Sequence, residues 1–234
     1  MPVQAPSVCL PGVLCDAALW RAQLDVLLPH TDCMVADITR HDNMGALAKA
    51  VLDNAPAKFS LVALSMGGYV AFEIMRIAPQ RVARLCLMDT SARPDTPEQN
   101  ERRRALIGLS KSGKFKGVTP RLLPMLIHPD RLQDEAVTSV IMAMAERVGP
   151  QAFERQQTAI LNRVDSRLLL SKISAPTLVI GGDDDVITPP EIVGEIAQWI
   201  PGAIYHRVPD CGHLPPLEHP QLVNDLLAEF LLQP

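Results

Sequence analysis

Short apolar runs alternate along this chain with longer segments whose apolar residues recur at helical spacing. The runs Ser7 to Leu10, Cys33 to Asp37, Phe59 to Leu64, Val82 to Met88, Thr177 to Gly181 and Ile204 to Val208 are each too short for a helix and read as buried strands. Between them the pattern predicts helices over Ala18 to Leu28, Met44 to Asn54, Met66 to Ile77, Pro190 to Trp199 and Pro216 to Leu232. Pro190 suits a first helical turn, where a missing N–H costs nothing. This is the order of parallel strands joined by crossover helices, so the expected class is α/β, with about six mainly parallel strands flanked by helices.

The rhythm breaks from about Arg93 to Arg167, which holds several helical segments, few β-branched runs and prolines at 94, 97, 120, 124, 129 and 150. At roughly 75 residues it is too long for an ordinary loop, and it reads as a helical cap (93–167) set into a core made of 1–92 and 168–234. Its apolar residues, among them Leu122, Leu123, Met125, Leu126, Ile127, Met142 and Met144, suit either the cap's own core or a pocket for a small apolar group. A basic run includes Arg102, Arg103, Arg104, Lys111, Lys114 and Lys116. It reads first as a solvated helix face followed by a loop, and second as a rim that attracts anionic substrates.

With 234 residues, 47% of them hydrophobic, the chain can bury one full core. A formal net charge of -4 provides no global positive field for a phosphate backbone or an anionic membrane, so neither nucleic acid nor lipid is an expected partner. Five cysteines (Cys9, Cys15, Cys33, Cys86, Cys211) are an odd number without a C-x-x-C pair and read as free thiols, not as a disulfide frame or zinc site. No basic segment precedes Val8, and no apolar run approaches the ~18 residues of a membrane span. A soluble, cytoplasmic monomer or homodimer is expected.

Candidate chemistry centres on Ala63-Leu64-Ser65-Met66-Gly67-Gly68. A strand ending at Leu64 and a helix starting at Met66 leave Ser65 on a sharp turn, which needs small residues two positions away on either side, and Ala63 and Gly67 supply them. Helix capping by Ser65 is the simpler alternative, but it does not call for the small neighbours. A serine hydroxyl needs a base to take its proton and an acid to orient that base. His213, on the Gly-containing loop after the last strand, is the histidine best placed for this, because ligand sites in such sheets form at the carboxyl ends of strands. The acid is sought after the strand that ends near Gly181, where Asp183, Asp184 and Asp185 stand in a row, with Asp89 as a second source. Backbone N–H groups of Met66 and Val13 are the candidate oxyanion donors, the latter in the loop Pro11-Gly12-Val13.

Together these residues resemble the α/β-hydrolase superfamily over essentially the whole chain. The elbow departs from G-x-S-x-G only in having Ala63 first, and Pro11-Gly12-Val13 stands where the family usually has His-Gly-x, with Trp20 at the customary downstream position. The family pattern G-x-x-D-x-x-T-P-P puts Gly182, Asp185 and Thr188-Pro189-Pro190 in register, which selects Asp185 as the acid; Gly212-His213 followed by Glu218-His219-Pro220 matches the histidine pattern. The resemblance implies a strand order 4-3-5-6-7-8 in the family's numbering, with the cap inserted after strand 6. It further implies a serine hydrolase acting on a small to medium carboxylic ester or lactone through an acyl-enzyme, with no cofactor and no metal. Enol-lactone or carbon-carbon bond hydrolysis, acyl transfer, and a ligand receptor built on the same scaffold are the alternatives. A serine at the elbow argues against dehalogenation, which uses an aspartate there.

Overall fold

In the computed structural model, which describes residues 4–232, the strands β1 (Ser7–Leu10), β2 (Cys33–Val35), β3 (Phe59–Leu64), β4 (Val82–Met88), β5 (Thr177–Gly182) and β6 (Ile204–Val208) form one sheet. Their order is β2-β1-β3-β4-β5-β6, and every neighbouring pair is parallel. This is the order the family resemblance implied. The chain starts near the middle, steps outward to β2, then crosses back past β1, so the order reverses between β1 and β3 and opens a crevice at their carboxyl ends.

Side-chain alternation divides the sheet into two buried faces. Val8, Leu10, Leu61, Ala63, Leu85, Leu87 and Val179 point to one face, where α2 (Met44–Asn54), α3 (Met66–Ile77) and α7 (Pro190–Trp199) cover them. Cys9, Val62, Leu64, Cys86, Met88, Leu178 and Ile180 point to the other, against α1 (Arg21–Leu27) and α9 (Pro220–Leu232). Burial on both faces explains why β1, β3, β4 and β5 read as apolar runs, whereas the edge strands, expected to be buried, are not: β2 is half-buried and β6 largely exposed because each has a neighbour on one side only. All five cysteines are free, and only Cys33 is not fully buried. Among the described residues no helix is long and apolar enough to cross a membrane.

Three element boundaries differ from the sequence reading. Asp16 accepts a hydrogen bond from Ala18 N and sets a single tight turn over Ala17–Trp20, so the α-helix begins only at Arg21. The C-terminal helix is divided: α8 (Pro215–Glu218) stops at His219 because the residue before Pro220 is driven out of the helical region (φ -131, ψ 57), and α9 starts at Pro220. β2 ends at Val35, pairing only with Ser7 to Cys9.

Residues 93–167 contain no strand. They hold α4 (Pro97–Leu109), a widened turn and several tight turns, and α5 (Glu135–Leu161), which bends where Gly149 adopts φ 74 just before Pro150. Leu123, Ile127, Ile141 and Met144 are buried in the same cluster as Leu64 and Met88. α4 is capped at both ends of a capping box by Thr96 and Gln99, yet none of its residues is buried. A short helix, α6 (Arg167–Leu170), leads back to β5.

Candidate active site

One residue separates β3 from α3, and the whole change of direction falls on it. Ser65 has φ 54 and ψ -115, a region unfavourable for any side chain. Its own backbone is pinned on both sides: Ser65 N donates to the Met88 carbonyl at 2.9 Å, and its carbonyl accepts from Gly68 N (2.9 Å) and Thr90 Oγ1 (2.7 Å). The small neighbour at 67 is a steric necessity, since a Cβ there would overlap the Leu10 carbonyl oxygen. The Ser65 side chain makes no capping hydrogen bond to α3. Its Oγ instead lies 2.8 Å from His213 Nε2.

His213 follows β6 on the loop from Asp210 to Leu214, and its backbone N–H donates to the Leu126 carbonyl at 2.9 Å. Its Nδ1 lies 2.7 Å from Asp185 Oδ2. Asp185 is further held by Ile187 N (2.8 Å) and Thr188 N (3.1 Å) on Oδ1 and by the Thr188 hydroxyl (2.5 Å) on Oδ2. Both Asp185 and His213 are buried. Burial alone pushes the Asp185 carboxyl up, but the facing imidazole and these hydrogen bonds outweigh it and hold the group well below the usual carboxylate range. The other two aspartates of the triplet face elsewhere: Asp183 pairs with Arg207 at 2.6 Å, and the exposed Asp184 lies 3.8 Å from His128.

Asp89, the second candidate acid, is fully buried at the end of β4 but makes no hydrogen bond to His213. Its Oδ1 accepts from Gly182 N at 2.9 Å, tying the tip of β4 to that of β5, while Oδ2 has no partner among the described residues. Burial, and then the charge of Asp185, raise its pKa well above the usual value. Asp89, Asp185 and His213 place three possible ligand atoms within 4.8 Å of one another, but both imidazole nitrogens are already engaged with Ser65 and Asp185.

The loop after β1 closes over the serine. Gly12 packs so near that a Cβ on it would sit 3.4 Å from Ser65 Cβ. Cys15 N donates to the Gly12 carbonyl at 3.2 Å, and Leu14 takes φ 58, as the third position of a type II turn requires. Val13, the second position of this turn, lines the same cavity as Ser65, and Met66 N–H occupies the first position of α3, where a helix offers it no partner. The Cys15 thiol, pushed up to about 12 by burial, stays protonated.

Two residues of the site carry no local sequence signal for their roles. Gln156 on α5, fully buried, accepts from Leu14 N at 3.1 Å and so fixes the turn at 12–15. Glu218 is also buried; its carboxylate accepts from Gly212 N (3.0 Å), Leu214 N (3.0 Å) and His128 N (2.7 Å), bracketing His213 on both sides. Gln156 has no motif around it, whereas Glu218 was at least visible in the family pattern after the histidine.

Ser65 and His213 open onto a cavity of about 600 Å³. Leu122, Met125 and Leu126 line it, whereas Leu123, Ile127 and Met144 belong to the buried core, so the apolar residues of this region serve both purposes.

A family model described as alpha/beta hydrolase fold matches residues 47–220. A Mycobacterium tuberculosis protein named as a non-heme bromoperoxidase, BpoC, is 33% identical over 205 residues, covering 86% of this chain and 74% of its own. A pimeloyl-(acyl-carrier protein) methyl ester esterase of Neisseria meningitidis is 27% identical over 221 residues, covering 92% of this chain and 83% of its own. Among solved structures, a thermophilic esterase from Thermogutta terrifontis superimposes with a TM-score of 0.86 at 31% identity, covering 97% of this chain and 89% of the other.

Proposed function

The chain belongs to the α/β hydrolase fold family, and from that premise we propose that it is a serine hydrolase cleaving small to medium carboxylic esters through an acyl-enzyme. The observation that carries this reading is the unbroken hydrogen-bonded line from Ser65 Oγ to His213 Nε2 (2.8 Å) and from His213 Nδ1 to Asp185 (2.7 Å) at the base of a cavity. Two of the similar proteins bear esterase names, one of them a methyl ester esterase, in keeping with ester hydrolysis.

Ser65 Oγ attacks the acyl carbon while His213 Nε2 takes the hydroxyl proton. Asp185, ionised and held by Thr188, keeps the imidazole in the tautomer that leaves Nε2 free to accept, and it stabilises the imidazolium that forms. The N–H groups of Val13 and Met66 receive the negative charge of the tetrahedral intermediate; such a donor is worth about 3 kcal/mol when preorganised. His213 then returns the proton to the departing alcohol. Water, deprotonated by the same nitrogen, releases the acid and regenerates Ser65. Every proton transfer is completed by these groups and water, so the scheme requires no cofactor. Residues 93–167 act as a cap that shapes the acyl site over a core of 1–92 and 168–234, and the unpaired thiols suit a cytoplasmic enzyme.

p-Nitrophenyl acetate and butyrate test the reading directly. The purified protein is expected to release p-nitrophenolate, and Ser65→Ala to lose about a thousandfold or more in kcat/KM. A variant as active as the parent would overturn the assignment of Ser65.

A further inference from the structure

The charged residues that line the cavity are all of one sign. Arg102, Arg103, Lys114, Lys116 and Arg121 reach its wall, and no aspartate or glutamate does. This is not the composition of the chain, in which 26 acidic residues outnumber 22 basic ones. Arg103 forms a salt bridge with Asp95, which it shares with Arg163, and Arg102 rests against the Met125 sulfur at 3.5 Å. Lys114, Lys116 and Arg121 have no carboxylate partner among the described residues. The same wall carries the apolar side chains of Leu106 and Leu109 from α4, Phe115, Val118 and Phe153. Leu109 is half exposed, so part of this apolar wall is open to solvent.

An occupant matching this wall has a carbonyl at Ser65, an apolar spacer and an anionic end. We propose that Lys114, Lys116 and Arg121 form an anion-binding subsite, and that the ester substrate carries a carboxylate or phosphate at the far end of its acyl chain. The inference rests on the ester-hydrolase reading for its catalytic half only; the subsite itself follows from the charges and the apolar wall. A cleft lined by one sign of charge concentrates the opposite ion even when each pair is solvent-exposed, and the combined effect is about tenfold or more at low salt.

The test compares acyl chains of equal length. p-Nitrophenyl hydrogen adipate (anionic end), its phosphonate analogue, p-nitrophenyl hexanoate (neutral) and a trimethylammonio analogue (cationic) are assayed with the parent and with Lys114→Gln/Lys116→Gln/Arg121→Gln. The expected result is a kcat/KM about tenfold higher for the anionic esters than for hexanoate, with the cationic ester poorest. The triple variant should lose that preference through KM, with hexanoate hydrolysis unchanged, and added salt should erode it in the parent. The carboxylate and phosphonate arms show which anion is preferred. Equal rates for anionic and neutral esters, or a preference that survives in the triple variant, overturn the subsite. Calorimetric titration of Ser65→Ala protein with monomethyl adipate and methyl hexanoate separates the two ideas. Selective adipate binding that disappears with the three cations supports the subsite even if no ester is turned over, and its absence refutes it.

Discussion

Asp89 and Asp185, both buried, place carboxylate oxygens within 4.8 Å of each other, and their pKa values are displaced in opposite directions, Asp89 up and Asp185 down. Two like charges at that separation in a buried site oppose each other, so the proton favours Asp89, which lacks the imidazole and hydroxyl partners that hold Asp185. Asparagine reproduces the shape and hydrogen-bond acceptor of a neutral carboxyl at 89 but removes the carboxylate needed at 185. Asp89→Asn is expected to retain kcat/KM within a few-fold, whereas Asp185→Asn should lose about 10⁴-fold in kcat, as expected when an imidazole is held in the wrong tautomer. Steady-state kinetics on both proteins decides this.

The same pair gives stability two opposite dependences on pH. Asp185 titrates lower in the fold than in the unfolded chain, so its stabilisation is present above about pH 4 and is lost as the pH falls through its depressed folded value. Asp89 titrates higher in the fold. Its stabilisation is present below about pH 4 and is lost progressively as the pH rises toward the folded value, because the unfolded chain releases the proton that the native state retains. The melting temperature of Asp89→Asn relative to the parent should therefore increase from acid to mildly alkaline pH. A pH-independent difference would show that Asp89 does not hold a proton.

Much of this site was legible in the sequence because its signals are local. The strands were found because each is a short apolar run between helical periods, and Ser65 because a strand, a serine and a small residue at 67 fall within nine positions of one another. Asp185 was separable from its two neighbours only through the register of Thr188-Pro189-Pro190, and the structure puts the Thr188 hydroxyl on that carboxylate. Gln156 was not legible: it acts on Leu14 from 142 residues away, and no local pattern distinguishes it from a surface glutamine. The layout of 93–167 was equally hidden, since α4 buries none of its own residues and so has no strong apolar face to place it.

Gln156→Leu tests the turn at 12–15. Leu14 holds a positive φ only because its neighbours are tied, and removing the acceptor of its N–H frees the loop that carries Val13. The expected result is a kcat about tenfold lower, with KM little changed, since loosening one oxyanion donor costs less than deleting it. An unchanged kcat would remove Val13 from the mechanism.

Glu218→Gln replaces an acceptor of three backbone N–H groups by a side chain that must turn a donor toward one of them. Because that amide and the facing N–H are both buried, the fold should lose about 3 kcal/mol in denaturant unfolding. Activity should fall as well, because Gly212 and Leu214 flank the base.

Gly67→Ala pushes a methyl group into the Leu10 carbonyl, which is backbone and cannot rotate away. Loss of roughly 3 kcal/mol is expected, and β1 must shift with its loop, so kcat should decline even in molecules that remain folded.

The hydrogen bonds from His213 N–H to the Leu126 carbonyl and from His128 N–H to Glu218 set a boundary inside the helical segment. The stretch around 123–128 is bolted to the base, and any change there is felt by the proton carrier. The stretch from Pro97 to Leu122 has no such tie and contributes the cations and most of the open apolar wall. In the proposed reading, 97–122 bears on selectivity more than on the proton relay, although Met125 and Leu126 also line the cavity. Exchanging 97–122 for another sequence is then expected to change the group accepted in the cavity while leaving the hydrogen bonds of Ser65, His213 and Asp185 intact.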